Sequence, residues 1–264
     1  MEVYILPVAI VAGLGLLLGL VLSFASKFFA VQQDETVANL REALPGVNCG
    51  SCGFAGCEEY AAKMASGEAA TNLCTPGGAE VAKKCSEILG VGFTDVEQQV
   101  AQVHCCGTLE TSQYVMEYMG LKTCAACNSF YQGRRSCSHG CLGFGDCTRV
   151  CQYDAIHVEN GVAVVDPEKC TGCGMCAREC PDHLIQIVPA RAKVYVACTS
   201  TDKGAYTRKV CKNGCIGCMK CQKTCEYEAI KVEDNLARID PQKCTGCGAC
   251  IEVCPVGVIR RQGE

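Results

Sequence analysis

The chain has 264 residues, a formal net charge of −4, and 27 cysteines against four histidines and no tryptophan. Its 24 basic residues are scattered and form no stripe, which argues against nucleic acid as a partner. The length, enough for two or three small domains, and the tight cysteine blocks argue against a short secreted disulfide scaffold.

Residues 5–25, ILPVAIVAGLGLLLGLVLSFA, are apolar and uncharged. At about 1.5 Å rise per residue, such a helix spans a bilayer core of roughly 30 Å. Glu2 stands where a signal peptide would carry Lys or Arg, and no small-residue cleavage site follows, so the segment reads as a retained anchor. Lys27 and Arg41 follow it and nothing basic precedes it, which puts the C-terminal bulk on the cytoplasmic side. Gly15 and Gly19 form a GxxxG, a weak signal for packing on another helix.

Residues 34–44 predict a short helix capped by Asp34 and stopped before Pro45. Then Cys49, Cys52, Cys57 and Cys74 follow the spacing Cys-x2-Cys-x4-Cys-x16-Cys. Gly50, Gly53 and Gly56 let the backbone wrap a bulky group, and the four thiols suit one [4Fe–4S] cluster, with zinc as the rival. Helices are expected over 58–66 and over 79–89, the second stopped by Gly90, with Cys85 a packing residue.

Residues 91–136 are the least readable stretch. Cys105 or Cys106 with Cys124 and Cys127 could form a further metal site, but nothing in the spacing compels it, and buried thiols are the favoured reading. His139, His157 and His183 have no partner pattern.

Two near-copies of one cysteine ladder fill the rest. CSHGCLGFGDCTRVC (137–151) and CTGCGMCARECP (170–181) recur as CKNGCIGCMKCQKTC (211–225) and CTGCGACIEVCP (244–255). Cys147 maps to Cys221, Cys170 to Cys244 and Cys180 to Cys254, at one constant offset. A gapless offset marks an internal duplication. The Cys-x2-Cys-x2-Cys-x3-Cys-Pro run is an iron–sulfur signature, and in two-cluster ferredoxins the fourth cysteine of each run serves the other cluster. In the second copy this predicts Cys215, Cys218, Cys221 and Cys254 around one cluster, and Cys244, Cys247, Cys250 and Cys225 around its neighbour. Cys211 is then a spare, although it or Cys218 could ligate.

The first copy departs from the pattern, because Phe144 stands where the second copy has Cys218. Cys137 is the expected replacement, giving Cys137, Cys141, Cys147 and Cys180 for one cluster, and Cys170, Cys173, Cys176 and Cys151 for the other. Five [4Fe–4S] clusters then use 20 of the 27 cysteines. Val162–Val165 and Leu236–Ile239 fit small hairpin strands, and Asp-Pro at 166–167 and 240–241 turns the chain into the next cysteine loop.

The expected architecture is α+β. It comprises an anchor (1–28), an N-terminal cluster domain (29–92), a connecting region (93–133), a ferredoxin-like module (134–192), a linker (193–210) and a second module (211–264). No GxGxxG or GxxxxGK[ST] loop and no hydrolase motif is present, so the chemistry points to electron transfer.

One membrane helix, then CGSCGFAGC with a later cysteine, then ferredoxin repeats resembles the RnfB family, one of the components of the Rnf complex, over essentially the whole chain. The resemblance implies an electron-transfer subunit of an ion-translocating ferredoxin:NAD+ oxidoreductase. It would accept electrons from reduced soluble ferredoxin and relay them to membrane partner subunits, with flavin and nicotinamide chemistry left to its companions. The alternative is a membrane-tethered polyferredoxin that serves another reductase without ion pumping.

Overall fold

The structure, a computed structural model, describes residues 2–28 and 34–263, with side chains of 10–25 in the first stretch. The first helix, α1, runs from Glu2 to Phe28. Apolar side chains are exposed all round it, from Ile10 and Val11 through Leu16, Leu17 and Leu18 to Leu22 and Phe24. Among the described residues no helix is long and apolar enough to cross a membrane. The expected span begins at residue 5, so part of it lies outside the described side chains.

Three helices follow as the sequence predicts: α2 (Glu35–Ala43), α3 (Cys57–Ala65) and α4 (Gly78–Leu89). Asp34 caps α2 by accepting the Thr36 amide at 2.9 Å. Gly90 ends α4 in the left-handed region at φ 65°, where a side chain would be strained. Leu40, Tyr60, Ala61, Met64 and Cys85 form the core between these helices. The Tyr60 hydroxyl donates to the Ala70 carbonyl at 2.7 Å and accepts the Leu73 amide at 3.1 Å, which fixes the loop leading into Cys74.

The remaining chain builds the same small unit twice. The first contains β1 (Gln99–Val103), α5 (Cys124–Asn128), α6 (Asp146–Arg149), β2 (Ile156–Glu159), β3 (Val162–Val165), α7 (Met175–Glu179) and β4 (Ile185–Pro189). The second contains β5 (Val194–Val196), α8 (Gly204–Val210), α9 (Lys220–Thr224), β6 (Ile230–Glu233), β7 (Leu236–Ile239), α10 (Ala249–Glu252) and β8 (Ile259–Arg261). Each unit has an inner antiparallel hairpin, β2–β3 or β6–β7, and an outer antiparallel pair, β1–β4 or β5–β8.

The duplication extends to register. Ile156 faces Val165, and their counterparts Ile230 and Ile239 face each other in the second unit. The Asp166 amide donates to Ala155 and the Asp240 amide to Ala229, both at 2.8 Å. Asn160 and Gly161 turn the first hairpin at φ 44° and 79°, and Asp234 and Asn235 turn the second at 50° and 63°. Two successive positive φ values match the twist of a two-residue hairpin loop. Strands β1 and β5 lie in stretches expected only to connect, yet each pairs with the last strand of its unit.

Candidate metal centres

In the N-terminal domain, Cys57 opens α3 and its amide donates to Asn48 Oδ1 at 2.9 Å. The loop carrying Cys49 and Cys52 turns through Gly50 and Gly53, both at positive φ. Ser51 and Thr75 hydroxyls meet at 2.5 Å, which ties this loop to the one bearing Cys74. Burial pushes the Cys74 thiol up to about 11, and the nearby Cys57, Cys49 and Cys52 thiols add to the effect.

Each duplicated unit encloses two apolar voids lined by cysteines. The four voids are similar in size, about 330 to 400 Å³ including space open to solvent. Cys151, Cys170, Cys173 and Cys176 line one in the first unit, beneath Ala101 and Ile187 of the outer strands. Cys215, Cys218, Cys221 and Cys254 line one in the second unit, and Cys225, Cys244, Cys247 and Cys250 line the other. In these three voids the structure brings together the quartets that the sequence spacing groups.

The fourth void groups the cysteines differently from the expected quartet. It is lined by Cys124, Cys141, Cys147 and Cys180, and Cys137 is not among them. The reason lies in chain length. The stretch from Cys105 to Cys137 is more than twice as long as that between their counterparts, Cys198 and Cys211. The extra chain carries α5, which delivers the Cys124 thiol into the void. Thr123 caps α5 by accepting the Ala126 amide at 3.1 Å, and Asp146 on the cysteine loop accepts the Ala125 amide at 3.0 Å. Phe144 turns away from the void and packs against Tyr118 and beneath the Arg134 guanidinium. The fourth cysteine of this void thus comes from the insertion and not from the neighbouring loop. A sequence signal existed in the insertion's length and its Thr-Cys-Ala-Ala-Cys run.

Backbone amides point at sulfur throughout the first unit. Ala101 donates to Cys170 Sγ at 3.3 Å, and Ala155 to Cys151 Sγ and Leu184 to Cys180 Sγ at 3.4 Å. Such bonds stabilise thiolate over thiol and tune a bound cluster. Burial has the opposite effect, raising Cys147 and Cys176 to about 12 and Cys221 and Cys250 to about 11. A cationic iron core offsets that penalty, so these thiols suit metal better than bare ionisation.

Among the described residues, no three His, Cys, Asp or Glu side chains converge closely enough to share one metal ion. A zinc site draws its sulfurs within about 2.3 Å of a common point. Thiols spread around an apolar void instead fit a bulkier inorganic core.

Three cysteines are plain buried thiols. Cys85 is in the N-terminal core, Cys127 lies against Leu142, and Cys106 donates to the Asn213 carbonyl at 3.6 Å. The suggested joint site of Cys105 or Cys106 with Cys124 and Cys127 is not formed, because Cys124 turns to its own void.

Family models agree with this layout. "Putative Fe-S cluster" matches residues 44–76, "4Fe-4S binding domain" matches 163–186 and "4Fe-4S dicluster domain" matches 214–258. The chain is 42% identical to the B subunit of the Na+-translocating ferredoxin:NAD+ oxidoreductase complex of Acetobacterium woodii, over 97% of this chain and 77% of that one. It is 40% identical to the B subunit of the ion-translocating oxidoreductase complex of Methanosarcina acetivorans, over 96% and 97% respectively. It is 39% identical to the B subunit of the proton-translocating ferredoxin:NAD+ oxidoreductase complex of Clostridium ljungdahlii, over 98% and 93%.

The chain belongs to the RnfB family. The three family-model matches fall on the N-terminal quartet and on both duplicated units. The match in the first unit begins at residue 163, beyond the altered loop that contains Phe144.

Proposed function

We propose that the chain is the iron–sulfur electron-transfer subunit of an ion-translocating ferredoxin:NAD+ oxidoreductase, accepting electrons from reduced ferredoxin and relaying them to membrane subunits. The observation that carries this reading is the run of cysteine-lined sites through three packed domains. When bound, [4Fe–4S] clusters supply one-electron transfer with every iron already held by protein sulfur. Cys49, Cys52, Cys57 and Cys74 hold the first. Cys151, Cys170, Cys173 and Cys176 hold the second, and Cys124, Cys141, Cys147 and Cys180 the third. The two quartets of the second unit hold the fourth and fifth.

Contacts between the domains support a relay. Arg178 on α7 donates to the Cys49 carbonyl at 2.5 Å, joining the N-terminal loop to the first unit. Tyr153 feels the thiols of Cys173, Cys49 and Cys74 together, so these two sites are neighbours. The pairing of β1 with β4 and of β5 with β8 supports unit boundaries near residues 98 and 193.

Helix α1 is read as a membrane anchor, with the cluster domains on the cytoplasmic side: residues 10–25, whose side chains are described, are too few to cross a bilayer core, and the apolar run of the sequence continues back to residue 5. Between residues 10 and 25 its apolar side chains are exposed all round, and no charged residue interrupts them. Relatives named for sodium and for protons match comparably well, which supports assigning ion selection to other subunits.

The test is anaerobic titration of the purified chain with reduced ferredoxin. The chain's visible absorbance should bleach in proportion to the ferredoxin added. No bleaching, in protein with full iron content, would remove ferredoxin as donor.

A further inference from the structure

Cys105, Cys137, Cys198 and Cys211 belong to none of the five quartets above. Two of them come from each duplicated unit. Val103 faces Ile185 in the first outer strand pair, and Val196 faces Ile259 in the second. Cys105 and Cys198 each follow their strand by two positions, so they are structural equivalents. Cys137 and Cys211 are equivalents at the repeat offset.

The hydrogen bonds repeat this symmetry. The Cys141 amide donates to Cys105 Sγ at 3.4 Å, and the amide of its counterpart Cys215 donates to Cys198 Sγ at 3.5 Å. The two units meet here. Thr199 Oγ1 donates to the His139 carbonyl at 3.2 Å, and the Lys212 amide donates to Thr111 at 2.8 Å. The sulfur charges felt by Cys137 are those of Cys105, Cys211 and Cys198, which puts all four thiols around one seam.

A second observation concerns Arg135, a cation only 4% exposed. Its Nη1 donates to the Gly107 carbonyl and its Nη2 to the Gly161 carbonyl, both at 2.5 Å. Its Nε has no partner, and among the described residues no carboxylate pairs with it. Burying a cation without an anion is costly. Both Arg135 Nη1 and Cys211 Sγ border the space beside Gly107, at 3.5 and 3.4 Å from where its Cβ would stand. A thiolate-ligated cluster at the seam is anionic and would supply the missing counter-charge.

We propose that Cys105, Cys137, Cys198 and Cys211 ligate a sixth [4Fe–4S] cluster across the seam between the two duplicated units. The seam stands between the Cys141 quartet and the Cys215 quartet, each linked to it by one amide–sulfur hydrogen bond. It therefore joins what would otherwise be two separate pairs of sites. Six quartets use 24 of the 27 cysteines and leave the buried thiols Cys85, Cys106 and Cys127.

This inference rests on the iron–sulfur reading of the other quartets, but its test does not depend on the ferredoxin reaction. Iron, sulfide and zinc are measured on the full chain purified without oxygen, with native mass spectrometry to count clusters. Six clusters correspond to about 24 irons per chain and five to about 20, at four per cluster. The expected result is about 24 with no zinc. The variant Cys105→Ser/Cys198→Ser, which removes one thiol from each unit, should fall by about four irons and keep five clusters. Wild-type protein with five clusters, with or without one zinc, overturns the proposal, as does a variant that keeps the wild-type count. Should the variant fail to fold, the wild-type count alone decides. A five-cluster chain that still bleaches with ferredoxin would sink the seam cluster and spare the proposed function.

Discussion

The Asp146 carboxylate accepts the Ala125 amide at 3.0 Å, and this contact seats the inserted helix over the altered cysteine loop. Asp146 is 5% exposed, and its other oxygen pairs with Arg149. Its counterpart in the second unit is Lys220, which has no inserted helix to hold. Replacing it by alanine removes the carboxylate acceptor of the part-buried bond to the Ala125 amide. Hydrogen bonds to charged groups contribute about 1.5–3 kcal/mol. Asp146→Ala should therefore lower the thermal stability of the protein and release the Cys124 thiol from its void. The readout is iron content, expected to fall by about four per chain.

The exchange of Cys137 for Cys124 makes a sharper prediction through paired substitutions. Residues that serve one site do not act additively. Cys147→Ala and Cys124→Ala/Cys147→Ala should lose the same four or so irons, because both thiols line one void. Cys137→Ala/Cys147→Ala should lose about eight, since Cys137 sits at the seam. Equal losses from the two double variants would show that Cys137 holds no cluster apart from the Cys147 site.

Arg178 links the N-terminal domain to the first duplicated unit through the Cys49 carbonyl. The bond is partly exposed, so its loss should cost about 1 kcal/mol. Arg178→Ala should leave every cluster in place and loosen the docking of residues 34–90. Hydrogen exchange at the amides of 49–53 should quicken, while exchange in β2 and β3 stays unchanged. Exchange unaltered at 49–53 would mean the contact does not hold the domains together.

The repeat was legible because ligand spacing is a chemical constraint that tolerates few insertions. Residue offset alone grouped three of the four void-lining quartets, and the hairpins at Val162–Val165 and Leu236–Ile239 appear where alternation placed them. Asp34 and Gly90 marked helix ends because capping is local chemistry. Strands β1 and β5 escaped notice because each is short and pairs with a strand far along the chain. Their ladders join residues 99–103 to 185–189 and 194–196 to 259–261. The grouping of Cys124 with Cys141, Cys147 and Cys180 was illegible for the same reason. It depends on where an insertion folds back, which no local spacing encodes.

Cys85 yields a prediction about alkaline pH. It is fully buried in the N-terminal core, and burial raises its thiol above the ordinary cysteine value. An unfolded cysteine ionises near pH 8.5. Above that pH the unfolded chain gives up the Cys85 proton while the folded chain keeps it. Folding then binds more protons than unfolding, so stability falls as pH rises past about 8.5 and is unaffected below it. Tyr60 is displaced upward too, mainly by its own burial, and acts with the same sign at higher pH. Cys85→Ala should lower the thermal midpoint at pH 7.5 through the space it opens, yet flatten the decline between pH 7.5 and 9.5. Native protein at pH 8 should leave Cys85 unlabelled by iodoacetamide, with labelling appearing once the domain is unfolded in urea. Equal slopes in the two proteins would show that another group governs the alkaline loss.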